Sequence, residues 1–289
     1  MTAQIFDGTV FARELKKPLA ARAAALKKKL GRAPSLTIVS GAADAGAQSY
    51  LQAKLKACAE TGIDAKVVTL SAWSNQSAAL KLIAEQAADA KIDAIVVDLP
   101  LPKHVDAAAV LCAVPAAKDA EGQSPERLGR FFALKNYDDL AKKAQIAPCT
   151  AVAMAEIALN LSGPMRGKRA VVIGRSNVVG KPLAHLLTAL DATVTLCHSK
   201  TADLESEVSR AELVFACAGS PGLVKAAWLK KGAVVVDAGV NEVDGKLVGD
   251  VQPGAADYAA HLTPVPGGVG PVTTAVLLQN VLTLAEAAR

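Results

Sequence analysis

The spacing of apolar residues alternates between helical and strand-like periods along the first half of the chain. Steps of three and four predict helices, and short continuous apolar runs predict buried strands. The predicted elements are a helix capped by Thr9 and ended by Gly31, strands over 35–40, 65–70 and 94–97, a loop over 41–46, helices over 47–61, from 74 or 75 onward and near 106–113, and an irregular stretch over 115–130. This alternation predicts an α/β domain, which we place at residues 1–145.

The second half repeats the alternation after a connector over 142–149. The predicted elements are helices over 150–161 and 180–190, strands over 169–173, 193–197, 213–217 and 233–237, and further helices between the last three strands. A βαβ series of this kind predicts a parallel sheet. Asp244 and Gly245 predict a hairpin turn after the last of these strands.

The composition narrows the class of protein. Of the 289 residues, 52% are hydrophobic and 20% are charged, which fits a packed globular protein and excludes a disordered chain. Aromatic residues, at 3%, are too few for a nucleic-acid stacking platform, and a net charge of +5 is too small for a DNA footprint but suits small anionic ligands. The five cysteines lack metal-ligand spacing, and Asp7 precedes any basic residue. We therefore expect no metal, no signal peptide, and a cytoplasmic protein without nucleic-acid or membrane partners.

A glycine-bearing turn lies between the predicted strand over 169–173 and the next helix. Gly174 and Gly180 bracket this turn, and Ser176 stands where a GxGxxG motif has its middle glycine. Backbone N–H groups at such a helix start favour a phosphate, although an ordinary tight turn has the same pattern.

The following strand ends in Cys197, His198 and Ser199, where an NAD site would offer a carboxylate to the ribose. Together with Arg175, the histidine and the serine can bind the extra phosphate of NADP. The alternative is that His198 is a surface residue at a strand end. NADP is therefore the predicted cofactor.

Three other places in the chain carry candidates for a catalytic or substrate-binding site. Tyr50 and Lys54 are four residues apart and share one helix face. Asp98 ends a strand, where ligands of open α/β sheets collect. The rigid tract over 263–271 lets the backbone approach a flat ring closely. Each candidate also has an ordinary structural explanation. Tyr50 and Lys54 can be surface residues, Asp98 can be a helix cap, and the tract over 263–271 can be a plain crossover between domains.

The order and spacing of these motifs resemble one known family over nearly the whole chain. The motifs are YLQAK at 50–54, LPLP at 99–102, PCT at 148–150, GRSNVVG at 174–180, HS at 198–199 and PVPGGVGP at 264–271. With them, the chain resembles bifunctional methylenetetrahydrofolate dehydrogenase/cyclohydrolase.

The resemblance implies a homodimer of two-domain subunits. Each subunit would have a folate-binding catalytic domain over 1–145, completed by a C-terminal helix over 271–289, and a Rossmann-type NADP domain over 146–270, with the active site in the cleft between them. The implied catalytic residues are Lys54, Tyr50 and Asp98. The implied substrate contacts are Tyr50, Glu121, Pro264, Gly267 and Gly268. The implied NADP contacts are Gly174, Arg175, Ser176, Gly180, His198, Ser199 and Val240.

The family oxidises methylenetetrahydrofolate to a methenyl cation by hydride transfer to NADP, and water then opens the cation to formyltetrahydrofolate. This chain departs from the family in the folate-binding half, where Asp98 replaces a glutamine, Glu121 replaces an aspartate, and 123–127 and 151–153 also differ. We therefore expect dehydrogenase activity, with the cyclohydrolase activity weakened or lost. Two alternatives stay open: an NADP-dependent dehydrogenase of another substrate, and a non-catalytic NADP-binding regulatory protein.

The variant Arg175→Ala tests the predicted preference for NADP. Loss of the guanidinium removes a charged partner of the extra phosphate, which NAD lacks. The apparent Michaelis constant should therefore rise much more for NADP than for NAD in steady-state kinetics. Equal increases for the two nucleotides would contradict the assignment.

Overall fold

The computed structural model describes residues 2–41, 45–142 and 145–288, so the predicted loop over 41–46 and connector over 142–149 lie partly outside the described residues. The strands are β1 (Gln4–Ile5), β2 (Ser35–Ser40), β3 (Asp64–Thr69), β4 (Ala94–Asp98), β5 (Arg169–Ile173), β6 (Thr193–Cys197), β7 (Leu213–Ala216), β8 (Val234–Asp237), β9 (Asn241–Val243), β10 (Lys246–Val248) and β11 (His261–Leu262). The α-helices are α1 (Gly8–Leu30), α2 (Ala45–Thr61), α3 (Gln76–Ala88), α4 (Ala107–Ala113), α5 (Pro125–Phe132), α6 (Asp139–Lys142), α7 (Cys149–Ser162), α8 (Gly180–Ala189), α9 (Leu204–Ser209) and α10 (Val269–Ala287). In these parts of the chain, no helix has both the length and the apolar character needed to cross a membrane.

The described residues form two compact units. The large-sheet unit comprises residues 2–13, 132–142 and 148–276, and the small-sheet unit comprises 14–41, 45–131, 145–147 and 277–288. The predicted first domain differs from the small-sheet unit, because residues 2–13 and 132–142 belong to the large-sheet unit. Strand pairing explains the first difference, since β1 lies beside β11 in the sheet of the large-sheet unit.

A parallel sheet organises the large-sheet unit. Its strand order is β1-β11-β8-β7-β5-β6, and each neighbouring pair is parallel. The inner strands β7 and β8 are buried along their whole length. Both are continuous apolar runs apart from Asp237 at the end of β8, which is typical of parallel strands covered on both faces. The predicted α/β class with a parallel sheet is thereby confirmed. β9 and β10 form the predicted antiparallel hairpin, with positive φ at Asp244 and Gly245.

The small-sheet unit has three parallel strands in the order β3-β2-β4. Ser40 at the end of β2 lies opposite Asp98 at the end of β4. On one face, Val39 and Val97 share a buried core with Ile83 of α3 and Val110 of α4. The carboxyl ends of β2 and β4 are therefore held at one edge of a rigid layer.

Three strands match their predictions residue for residue, namely β2, β5 and β6. Three other expectations are wrong. Asp7 caps α1 instead of Thr9, because its Oδ1 accepts the N–H groups of Thr9 and Val10 at 3.0 and 2.9 Å. The helix predicted between β7 and β8 is a 3₁₀ turn at Ala226–Trp228. The stretch predicted to be irregular contains α5, which begins with Pro125 at a position that favours a helix start.

Two buried carboxylates tie loops of the large-sheet unit together, and the first is Asp250. Its side chain has no exposed surface and accepts the N–H groups of Ala218, Gly219 and Ser220 at 2.6, 2.9 and 2.8 Å. The amide of Asn241 also donates to it, at 2.9 Å. One carboxylate therefore holds the loop after β7 and the start of β9.

The second carboxylate is Asp237, which ends β8 and is 3% exposed. It accepts the N–H groups of Gly239, Asp250 and Val251 at 2.8, 3.1 and 2.9 Å. Burial raises the pKa of Asp237, and these three hydrogen bonds oppose the rise. The chain after β10 is thus fixed to the carboxyl end of β8.

Asp250→Ala should destabilise the large-sheet unit by about 3 kcal/mol, because it leaves three backbone N–H donors without their buried acceptor. The two tryptophans make this measurable, since Trp228 lies in the large-sheet unit and Trp73 in the small-sheet unit. Urea unfolding followed by Trp228 fluorescence in a Trp73→Phe background reports the unit that contains Asp250. The exposed Asp257→Ala is the matched control and should cost less than about 0.5 kcal/mol. Equal effects of the two variants would contradict the assigned role of Asp250.

Candidate active site

Helix α2 carries Tyr50 and Lys54 on one face, one turn apart. The Lys54 Nζ atom lies 4.6 Å from the centroid of the Tyr50 ring. Lys54 is 4% exposed, whereas Tyr50 is 40% exposed. The aromatic ring therefore stands at the surface of the unit and the ammonium group lies beneath it.

Asp98 at the end of β4 is the ion-pair partner of Lys54. Its carboxylate accepts a hydrogen bond from the Lys54 ammonium group and is mostly shielded from solvent. The two meet because α2 follows β2, and β2 ends beside β4. Burial disfavours the charged form of Lys54, but the negative charges around it, led by Glu121, outweigh burial and raise its pKa. Lys54 is therefore held as an ammonium ion.

Glu121 is the second carboxylate of the cluster and lies in the loop between the Ile95–Asp119 bridge and α5. Burial raises the pKa of Glu121 to about 7, and the charge of Lys54 opposes the rise. Asp98 and Asp119 add to the rise, because like charges disfavour a second ionised carboxylate. The cluster thus combines one fixed cation with one carboxyl group that can exchange protons near neutral pH.

The loop that carries Glu121 is anchored by Asp119. The Asp119 carboxylate accepts the N–H groups of Glu121, Gly122 and Ser124 at 3.1, 2.9 and 2.7 Å. On the other side, the Asn280 amide of α10 donates to the Ala120 carbonyl at 2.9 Å. Sequence reasoning missed both anchors. An aspartate shortly before a glycine was the available signal for Asp119, whereas nothing local marks Asn280.

The predicted nucleotide turn lies between β5 and α8. Gly174 has φ of 125°, and a Cβ there would lie 2.3 Å from the Cys217 carbonyl oxygen. A Cβ on Gly180 would lie 1.9 Å from the Gly174 carbonyl oxygen. Only glycine fits either position, which brings the start of α8 close to the strand end. The residues present therefore fit a phosphate group at this helix start.

Ser176 has a structural role inside this turn. Its Oγ accepts the N–H groups of Val179 and Gly180 at 3.1 and 3.4 Å. The hydroxyl thus satisfies backbone donors at the start of α8. The middle glycine of a GxGxxG motif, which Ser176 replaces, has no side chain that could accept these hydrogen bonds.

The three residues predicted for the extra phosphate lie on neighbouring strand ends. Arg175 follows β5 and His198 and Ser199 follow β6, and β5 and β6 pair up to Ile173 and Cys197. Arg175 and Ser199 are exposed, and His198 is partly buried. The His198 Nδ1 atom accepts the N–H group of Lys200 at 3.1 Å, so its proton in the neutral form is on Nε2.

The remaining predicted residues follow β8 and β11, which are neighbours in the large sheet. Val240 is 71% exposed beyond the end of β8. Pro264, Gly267 and Gly268 form a tight bend after β11, in which a Cβ on Gly268 would lie 2.5 Å from the Pro264 carbonyl oxygen. The predicted site residues thus fall into two sets: Tyr50, Lys54, Asp98 and Glu121 cluster in the small-sheet unit, and the others lie at strand ends of the large-sheet unit.

Both domains of one family match the chain. The catalytic-domain model of tetrahydrofolate dehydrogenase/cyclohydrolase matches residues 6–121, and its NAD(P)-binding-domain model matches residues 148–289.

Individual relatives match over almost their full length. The bifunctional protein FolD of Dechloromonas aromatica is 42% identical over 289 residues, which cover 99% of this chain and 98% of that protein. The FolD protein of Acidithiobacillus ferrooxidans is 40% identical, with 99% and 97% covered. The FolD crystal structure from Campylobacter jejuni superposes with a TM-score of 0.90 at 34% identity, covering 99% of each chain. The Trypanosoma brucei FolD structure, complexed with NADP cofactor and an inhibitor, gives a TM-score of 0.90 at 36% identity, covering 99% of this chain and 98% of that one.

Proposed function

Because the chain belongs to the tetrahydrofolate dehydrogenase/cyclohydrolase family, we propose that it oxidises methylenetetrahydrofolate to methenyltetrahydrofolate with NADP as the hydride acceptor. The observation that carries this function is the match of both family domains, one to each half of the chain. Relatives about 40% identical over the full length support the same activity.

In this proposal, the folate and NADP are bound mainly by different units. The small-sheet unit, with Tyr50, Lys54, Asp98 and Glu121, is the folate-binding and catalytic domain. The large-sheet unit is the NADP domain, and its Pro264, Gly267 and Gly268 also contact the folate. The anchored Glu121 loop supports the first assignment, since a pterin amino group needs a carboxylate held in place.

The turn between β5 and α8 holds the dinucleotide. Gly174, Ser176 and Gly180 shape the phosphate site at the helix start, and Val240 lies at the neighbouring strand end. Arg175, His198 and Ser199 bind the extra phosphate, because no carboxylate stands at the end of β6 to repel it. When bound, NADP supplies a nicotinamide ring that accepts a hydride.

The residues of the small-sheet unit orient the folate during oxidation. The exposed ring of Tyr50 offers a flat surface against which an aromatic part of the folate can stack. The oxidation transfers a hydride and needs no proton transfer. The methenyl product can keep its positive charge, because the charge is dispersed over two nitrogens. Alignment is therefore the main requirement of this step. The carboxylate of Asp98 favours a cationic product, so the replacement of glutamine by Asp98 is compatible with the dehydrogenase step.

Hydrolysis of the methenyl product makes a different demand, because water must lose protons as it attacks. In the family pattern, a lysine beside a neutral glutamine can lose its proton. Here Asp98 stabilises the ammonium form of Lys54, and a carboxylate at about 4 Å does so by up to about 4 kcal/mol at an effective dielectric of about 20, before solvent screening. We infer that cyclohydrolase activity is slow in this chain.

The proposed assembly is a homodimer in the cytoplasm. β6 lies at one end of the described six-stranded sheet, and its Thr193, Thr195 and Leu196 are exposed. An exposed edge strand of this kind supports pairing with a second copy.

Sedimentation at micromolar concentration should give a species of twice 29.6 kDa. A single species of 29.6 kDa would refute the dimer.

Substrate-dependent NADPH formation by the purified protein tests the proposed function. Absorbance at the NADPH band should rise with methylenetetrahydrofolate and NADP together, and with neither alone. NADPH formation only with another substrate, or with none, would favour the other dehydrogenase or the regulatory protein.

Asp98→Gln tests the effect of the carboxylate on Lys54. The variant should raise the ratio of methenyltetrahydrofolate hydrolysis to methylenetetrahydrofolate oxidation by about tenfold or more. This increase is smaller than the full rate enhancement that general acid–base catalysis contributes. Asp64→Asn is the matched control, because it removes an exposed carboxylate from β3, which β2 separates from the strand of Asp98. An unmodified protein that hydrolyses the methenyl form as fast as it oxidises the methylene form would contradict the argument.

A further inference from the structure

Three strand ends lie side by side at the carboxyl edge of the large sheet, in the order β8, β7 and β5. The glycine turn over 174–180, which is proposed to hold the dinucleotide, follows β5. The loop over 218–220 comes shortly after β7, and Gly239 and Val240 come shortly after β8. The chain after β7 and β8 therefore adjoins the glycine turn on one side.

The chain after β7 is in direct contact with the glycine turn. The Cys217 N–H group donates to the Ile173 carbonyl at 2.9 Å, which extends the pairing of β5 and β7. A Cβ on Gly174 would lie 2.3 Å from the Cys217 carbonyl oxygen and 3.1 Å from its Sγ atom. The loop over 218–220 begins at the next residue, so Cys217 couples the position of this loop to that of the turn.

Three successive backbone N–H groups of this loop point at one carboxylate. Ala218 and Gly219 donate to Oδ2 of Asp250 at 2.6 and 2.9 Å. Ser220 donates to Oδ1 of the same carboxylate at 2.8 Å. Gly219 has a φ of 64°, and successive N–H groups around a left-handed residue form a nest, a concavity that binds anions. Because Asp250 has no exposed surface, this nest is filled from within the protein.

The same carboxylate also packs against the chain after β8. A Cβ on Gly239 would lie 2.3 Å from Asp250 Oδ1, so only glycine fits there. Gly239 directly precedes Val240, one of the residues proposed to contact NADP. The Asn241 amide donates to Oδ1 at 2.9 Å. One buried group therefore fixes the chain after both strands that adjoin the glycine turn on this side.

We propose that Asp250 is a positioning residue of the cofactor site. Its carboxylate fills the nest over 218–220 and holds this loop and Val240 in line with the glycine turn. It also denies the nest to the phosphates of NADP, which directs them to the start of α8. This inference rests on the proposed nucleotide site and goes beyond it, because a fully buried residue acts on the cofactor only through the loops that it holds.

The first experiment measures binding of NADP without folate, by calorimetric titration of the full chain at a temperature at which all variants are folded. Asp250→Ala empties the nest and releases both loops. The Kd for NADP should therefore rise about tenfold or more, since a displacement of about 1 Å at a site costs up to about 100-fold.

Leu229→Ala is the matched control for lost stability. Leu229 is buried in the core of the same unit and precedes the amino end of β8, at the opposite edge of the sheet. This variant destabilises the unit through lost packing and leaves the nest filled. Its Kd for NADP should stay close to that of the unmodified protein.

A small carboxylate tests whether the nest itself is responsible. Formate has the carboxylate of Asp250 without its methylene group, so it should restore NADP binding to Asp250→Ala, whereas chloride at equal concentration should not. Asp250→Asn keeps the shape of the side chain and loses its charge. It should also weaken NADP binding, but formate should not restore it, because the amide still occupies the nest.

Two further measurements separate positioning from general damage. In ¹⁵N NMR without NADP, the amide resonances of Ala218, Gly219 and Ser220 should shift with formate in Asp250→Ala and stay fixed in the unmodified protein. In steady-state kinetics, the KM for NADP should rise in Asp250→Ala much more than the KM for methylenetetrahydrofolate.

The proposal would be overturned by an unchanged Kd for NADP in Asp250→Ala, an equal rise in Leu229→Ala, or equal effects of formate and chloride. If Asp250→Ala does not fold, the Kd of Asp250→Asn decides the question. Failure of the proposed function would appear separately, as an unmodified protein that binds no NADP or forms no NADPH from methylenetetrahydrofolate.

Discussion

Parallel strand pairing decides where chemistry can take place in this molecule. β2 and β4 end together, so α2 and Asp98 lie at one edge of the small sheet. β5 and β6 likewise end together, which brings the glycine turn beside His198. Because all carboxyl ends of a parallel sheet lie at the same edge, residues far apart in sequence become neighbours there without long loops. Both units follow this rule, although they differ in strand number.

The protein stabilises buried carboxylates in two different ways. Asp237 and Asp250 accept backbone N–H groups, which keeps loops in place without any cation. Asp98 instead faces the ammonium group of Lys54. Breaking a buried ion pair by removing one partner costs about 3–5 kcal/mol, so the Lys54–Asp98 pair also restrains the helix and the strand that carry it. Backbone donors suit a permanent support, whereas an ion pair affects the protonation of its neighbours, as it does for Glu121.

Sequence reasoning reached most of the fold because long apolar runs have a clear period. β2, β5 and β6 matched residue for residue, and Asp98 was found at a strand end. β1 and β11 have two residues each, too few to show any period, and they form only because each finds a partner far away in the chain. Asn280, one of the two anchors of the Glu121 loop, was missed for the same reason, because it is 160 residues from the carbonyl that it binds. Charge coupling between Lys54, Asp98 and Glu121 likewise arises only after folding.

The pairing of β1 with β11 has a consequence for synthesis on the ribosome. Residues 4 and 5 emerge 257 residues before their partners at 261 and 262. β1 therefore remains without its sheet neighbour until residue 262 has been made, while β5, β6, β7 and β8 can already pair. Joining β1 to β11 is the last step in assembling the large sheet, and it closes a very long loop. A nascent chain that stops before residue 261 exposes both the β1 segment and the open edge of β8.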